Sequence, residues 1–143
     1  MAPTALLETI AQLRWPADAT RLFHGRGGRH PGAEAWTLDA FGPAALLTAH
    51  APVAEADLAA VQAALAAAGA PPALVFQDRS TLQGATRLLA GALPEPLLAP
   101  EDGLRYEVRL LQGRNHGLFL DMAEGRRWVR RFCAARPGCA VLN

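Results

Sequence analysis

Between residues 44 and 78 an apolar run, a helix pattern and a second apolar run follow one another without interruption. This order constrains the fold more than any other feature of the chain. Ala44-Ala-Leu-Leu-Thr-Ala-His50 reads as a strand. Pro52 suits the first turn of a helix, Glu55 and Asp57 favour its N-terminal dipole, and Leu58, Val61 and Leu65 form one stripe. Gly69 and Pro71-Pro72 end it, and Ala73-Leu-Val-Phe-Gln-Asp78 reads as a largely buried strand. Upstream, Ala35–Ala40 alternates apolar and polar residues, and Phe41-Gly42-Pro43 turns the chain back into residues 44–50. An antiparallel strand pair followed by a helix and a further strand predicts an α+β fold.

The flanking segments extend the pattern. Leu6, Ile10 and Leu13 lie at helical spacing and predict a short helix over 4–13, stopped by Trp15-Pro16. The Gly- and Arg-rich stretch Arg21–Gly32 lacks the full G-x-G-x-x-G spacing and is followed by no helix pattern, so it reads as a basic connection. Residues 79–103 carry mixed signals: Leu82, Leu88 and Leu89 suggest a turn of helix, and Pro94, Pro96 and Pro100 suggest loop. Leu104–Leu110 alternates cleanly and predicts a hairpin, turned near Gly113 and returning through Leu118-Phe-Leu120. A helix over roughly 123–135 is expected to face Trp128, Val129 and Phe132 inward and to share Arg127, Arg130 and Arg131 on one outward face. Asp121, three residues before Glu124, is placed to cap it. Cys139–Asn143 then starts an apolar run of the kind found in buried parallel sheets.

Charge adds one constraint. The net charge is +1 and every basic residue is arginine, but residues 1–104 carry 6 arginines against 10 acidic residues whereas 105–143 carry 8 against 3. The planar guanidinium suits phosphate and stacks on bases. Two cysteines and four scattered histidines give neither a disulfide framework nor metal-ligand spacing. No apolar stretch approaches the length of a bilayer span and no secretory leader is evident, so a cytoplasmic protein with no membrane partner is expected.

From Gly103 to Asn143 the order is a hairpin, Gly-Leu-Phe-Leu-Asp-Met (117–122), Gly125-Arg126, a helix and a strand ending Val-Leu-Asn. This order resembles the start of the catalytic domain in bacterial class I S-adenosylmethionine (SAM)-dependent methyltransferases of the ribosomal RNA large-subunit type. Pro31-Gly32 and Leu38-Asp39-x-Phe41-Gly42 are similar to the start of that family's small strand-strand-helix-strand-strand domain. The likeness covers roughly residues 20–143. His116 stands where the family usually has Thr, and Ala123 where it often has Arg. The resemblance implies an N-terminal helix and connection over 1–32 and a small α+β substrate-side domain over 33–103. Residues 104–143 would be the hairpin, helix and first strand of a Rossmann-like catalytic domain cut short before its SAM loop.

It also implies functional roles. Asn115, His116, Gly117, Leu118 and Phe119 would line the cofactor entrance, with Asp121 and Arg126 bracing it. The same residues also read as a helix cap (Asp121), core (Leu118, Phe119) and a solvated charge (Arg126). Arg127, Arg130 and Arg131 would contact RNA phosphates. The parent enzyme would transfer a methyl group from SAM to a nucleic-acid base, in ribosomal RNA by this likeness, with its catalytic residues beyond 143. The 143-residue chain alone would be inactive. Two other readings stand beside this one: a free-standing RNA-binding module, and a dimerisation module that self-associates through its C-terminal region.

Overall fold

The computed structural model describes residues 1–141. Five strands form one sheet in the order β1-β2-β3-β4-β5: β1 (Thr20–His24), β2 (Trp36–Phe41), β3 (Ala44–Ala49), β4 (Ala73–Asp78) and β5 (Thr86–Ala90). A separate two-stranded ribbon is made by β6 (Leu97–Glu101) and β7 (Leu104–Val108). Three α-helices complete the fold: α1 (Thr4–Ala11), α2 (Glu55–Ala67) and α3 (Ala123–Ala134), the last preceded by a short 3₁₀ turn at Leu120–Met122. Helix α2 connects β3 to β4, and these two strands pair in parallel while every other pair is antiparallel. A helical crossover is what allows sequential strands to run in the same direction. This is the mixed α+β architecture expected, with one strand more ahead of the crossover helix.

Both faces of the sheet are covered. Leu38 of β2, Leu47 of β3, and Leu74 and Phe76 of β4 pack under α1 and α2, against Leu6, Ile10, Leu58, Val61 and Leu65. On the other face Phe41, Leu46 and Val75 pack against Leu97, Ala99 and Val108 of the ribbon, with Leu110 and Leu118. Every residue of β2 and β3 is therefore buried, including the polar positions Thr37, Asp39 and Thr48. Alternation in residues 35–40 suggests one wet face; the ribbon turns that face into a second interior.

Four local expectations are corrected. The basic connection at 21–32 begins as β1, which pairs with β2 and sends Phe23 into the core; only the part from Gly25 onward is loop and 3₁₀ turn. Together with α1 packed on α2, this makes residues 4–24 part of the sheet's own packing. Residues 86–90 form an edge strand rather than a turn of helix. The partner of β7 is β6, not 118–120: Asp102 (φ 50°) and Gly103 (φ 79°) form the tight turn, since both positions of a two-residue hairpin turn of this hand need positive φ. Finally, α3 does not turn its apolar residues inward. Trp128, Val129 and Phe132 lie on its exposed side, with Trp128 and Phe132 stacked at 5.1 Å. The expected strand at 139–143 falls partly outside the described residues, and Cys139–Val141 are not in a strand. Among the described residues no helix is long and apolar enough to cross a membrane, and no cluster of potential metal ligands occurs.

Candidate functional site

The face of the sheet beneath the ribbon changes character along the strands. Where the ribbon lies, the inward residues are Phe41, Leu46 and Val75. Toward the other end the register places Thr37 beside Thr48 and Thr48 beside Gln77, with Asp39 next along β2. These four polar side chains form the floor of a cleft of about 270 Å³.

Asp39 is held by Arg21 from β1, whose Nε and terminal nitrogen donate to the two carboxylate oxygens at 2.7 and 3.3 Å. Burial pushes the Asp39 carboxyl above the usual carboxylate range, against the opposing pull of Arg21. Gln77 donates to the Gly113 carbonyl at 3.1 Å and accepts from Arg79 Nε at 2.6 Å. Arg79 in turn donates to the Arg114 carbonyl at 2.6 Å. One strand end thereby fastens the loop after β7 across the cleft.

That loop supplies the wall. Asn115 Oδ1 accepts the Gly117 backbone N–H at 2.9 Å, and Gly117 sits at φ 92°, a conformation that side-chain-bearing residues rarely adopt. The His116 carbonyl accepts the Arg109 N–H at 3.1 Å, and His116 Nδ1 lies 3.5 Å from the Arg109 carbonyl. Burial lowers the His116 pKa below the ordinary imidazole value, so the ring is neutral. A carbonyl only accepts, which places the proton on Nδ1 and a lone pair on Nε2. That Nε2 is buried and has no partner among the described residues. Leu118 is buried under the wall, while Phe119 is 57 % exposed at the cleft. Asp121 closes the row.

The rim is cationic. Arg26, on the turn after β1, joins Arg79 and Arg114 there. His50 follows β3, and its pKa is lowered to about 4 by burial and then by the arginines nearby, Arg26 and Arg79 foremost. It is neutral at neutral pH.

Of the residues singled out in the sequence, Asn115, His116, Leu118, Phe119 and Asp121 lie together along this cleft, with Gly117 shaping the turn between them. Arg126 lies elsewhere. It donates to both oxygens of Glu101 at 2.6 and 2.7 Å and sits over the Tyr106 ring, tying α3 to the ribbon. Asp121 makes no capping bond to α3. Arg127 pairs with Asp102 at 2.6 Å and with Glu124, and Arg130 donates to the Asp102 carbonyl at 3.2 Å; Arg131 is exposed. None of these three reaches the cleft. The floor and rim residues escape the sequence reading, although Asp39 and Gln77, polar within otherwise apolar strands, carry a signal for them.

The model of a protein family described as S-adenosylmethionine-dependent methyltransferase matches residues 20–143. Among solved structures, one protein from Streptococcus mutans described as a SAM-dependent methyltransferase is similar in fold. Its TM-score is 0.62 and its identity 20%, over 90% of this chain and 36% of that one. A second, described as a methyltransferase complexed with SAH, gives a TM-score of 0.61 at 20% identity, over 88% of this chain and 34% of that one. The chain thus spans about a third of the length of both structures. No curated protein sequence matches it significantly.

Proposed function

The chain belongs to the S-adenosylmethionine-dependent methyltransferase family, and from that premise we propose that it forms the substrate side of a class I enzyme that methylates a nucleic-acid base. The proposed setting is ribosomal RNA in the cytoplasm. In this reading residues 33–103 are the substrate-side domain, and residues from 104 onward lead into the catalytic domain.

One observation carries the reading: the 115–121 wall, where the resemblance places the cofactor entrance, faces a cleft whose rim is arginine. The wall chemistry fits SAM. Phe119 offers an exposed aromatic face for an adenine ring, and His116 Nε2 offers a buried acceptor that lacks a donor among the described residues. Asp121 offers a carboxylate for a cationic or hydroxyl group. When bound, SAM supplies a methyl group made electrophilic by its sulfonium, so alignment of donor and acceptor is the protein's main contribution. Leu118, buried beneath the wall, keeps water from its base. The Gln77–Arg79–Arg114 bonds hold the wall at a fixed distance from the sheet, and the Arg126–Glu101 pair keeps α3 docked behind it.

The test is transfer of a radiolabelled methyl group from SAM to RNA by the product of the complete reading frame that encodes this chain. Phe119→Ala should lower kcat/KM by about tenfold, roughly 1.4 kcal/mol of transition-state stabilisation, without changing the thermal midpoint. Label entering protein or small molecules but not RNA would sink the nucleic-acid assignment.

A further inference from the structure

The cleft holds more positive charge than its own residues neutralise. Arg21 is matched by Asp39 at 2.7 Å. Among the described residues Arg26, Arg79 and Arg114 have no carboxylate within 4.0 Å, and the one other acid on the cleft is Asp121. Both cleft histidines with lowered pKa, His50 and His116, are uncharged at neutral pH. Unmatched guanidinium groups converging on a cavity with partly apolar walls attract an anion, because the reduced local dielectric strengthens the interaction and the planar donor fork matches phosphate oxygens.

Size narrows the occupant. At about 270 Å³ the cleft is smaller than typical small-molecule sites, which run from roughly 300 to 1,000 Å³, and it suits one nucleotide unit rather than a duplex. Its floor hydroxyls on Thr37 and Thr48 are neutral donors and acceptors, of the kind that accompany arginine at sugar-phosphate contacts. By contrast, Arg127 on α3 already has two carboxylate partners, so binding a phosphate there means giving up existing ion pairs.

We infer that this cleft takes one phosphodiester unit of a single RNA strand, held by Arg26, Arg79 and Arg114, and that it rather than the arginine face of α3 is the chain's main RNA contact. The inference rests on the nucleic-acid reading above and adds to it the place and the strand state. Arg79 and Arg114 also serve the wall, but the Arg26 side chain makes no hydrogen bond to another described residue, so its substitution tests charge alone.

The experiment titrates the full 143-residue chain into a fluorescein-labelled single-stranded RNA oligonucleotide, read by anisotropy over a range of salt. Each phosphate contact contributes about 0.7 to the slope of log affinity against log salt for a single strand. Arg26→Ala with Arg114→Ala should therefore weaken binding at low salt by at least tenfold and flatten the slope by about 0.7, the share of the one phosphate held there. Arg26→Glu alone should weaken binding more than Arg26→Ala, with the circular dichroism spectrum unchanged. Changing Arg127, Arg130 and Arg131 together to Ala should leave the slope near that of the parent. Cleft variants that bind like the parent, or an α3 variant that loses the slope instead, overturn the cleft assignment and leave the nucleic-acid reading standing. A parent chain that binds no RNA overturns both. Inorganic phosphate displacing the oligonucleotide at equal concentration identifies a free-anion site and overturns the RNA assignment.

Discussion

Removing the Arg126 side chain should destabilise the protein far more than removing its neighbours on α3. Glu101 is only 2 % exposed, and both of its carboxylate oxygens are satisfied by Arg126, at 2.6 and 2.7 Å. Breaking a buried pair by deleting one partner typically costs about 3–5 kcal/mol, because the remaining charge stays buried without compensation. The Arg126 side chain is itself 27 % exposed, which places the cost of Arg126→Ala near the lower bound, at about 3 kcal/mol. For a chain of this size that corresponds to a thermal midpoint lower by roughly 9 °C. Urea denaturation followed by tryptophan fluorescence measures it. Glu101→Gln combined with Arg126→Ala should recover part of the loss, since it removes the uncompensated charge. A cost below about 1 kcal/mol for Arg126→Ala, or no recovery in the double variant, would refute the argument and return Arg126 to the role of an ordinary surface arginine.

Four further outcomes are expected. His50 has a folded-state pKa lowered from 6.5 to about 4, so the stability it contributes is fully present above pH 6.5 and is lost as pH falls toward 4. Solvent screening at this partly exposed site limits the contribution to about 1–2 kcal/mol, read as the difference in urea midpoint between the parent and His50→Gln across that window. Gly25→Ala should cost more than about 2 kcal/mol, because a Cβ there falls 1.8 Å from the Ala33 carbonyl oxygen; a variant as stable as the parent by thermal melting would contradict this packing. Trp128→Glu with Phe132→Ser should lower any self-association seen by sedimentation velocity, since these two stacked rings expose an apolar patch; equal association by both proteins would exclude α3 as its surface. Thr48→Val, at a buried position whose hydroxyl faces the cleft, should change stability by less than about 1.5 kcal/mol while weakening oligonucleotide binding; a larger stability loss would make the hydroxyl structural.

The sequence makes some of this architecture easy to read and hides the rest for identifiable reasons. Helix α2 declares itself because acid-rich first turn, apolar stripe and terminal glycine agree. The ribbon is harder. Asp102-Gly103 is a strong turn signal, but it lies next to Pro100, and proline within a strand argues against one. Pro100 is tolerated because β6 has a partner on one side only, opposite Arg105. Strand β1 is concealed by the glycines that follow it. For α3, periodicity identifies an apolar face around Trp128 and Phe132 but not what covers it; among the described residues only the Arg136 guanidinium lies over it, on the Phe132 ring, and both rings stay exposed. The 115–121 wall is legible because its motif is local in sequence. The floor and rim are not, since Arg26, Asp39, His50 and Gln77 meet only through sheet register.

That register also explains why the cleft lies where it does. On the ribbon-facing side of β2, β3 and β4, alternate residues at one end are Phe41, Leu46 and Val75, and at the other end Thr37, Thr48 and Gln77. Nothing in strand geometry requires the change, because β-branched and aliphatic residues serve a buried sheet face better throughout. A fully apolar face would let the ribbon pack along the whole strand length and would avoid burying Asp39, whose carboxyl needs Arg21 to compensate it. The sequence instead spends polar residues on an interior surface and then holds a loop away from that surface with the Gln77–Arg79–Arg114 bonds. Where local choices forgo stability in a coordinated way, binding is the most direct physical reason. In this chain the concession ends in a cleft lined with unmatched arginines, beside the segment most specific to the family.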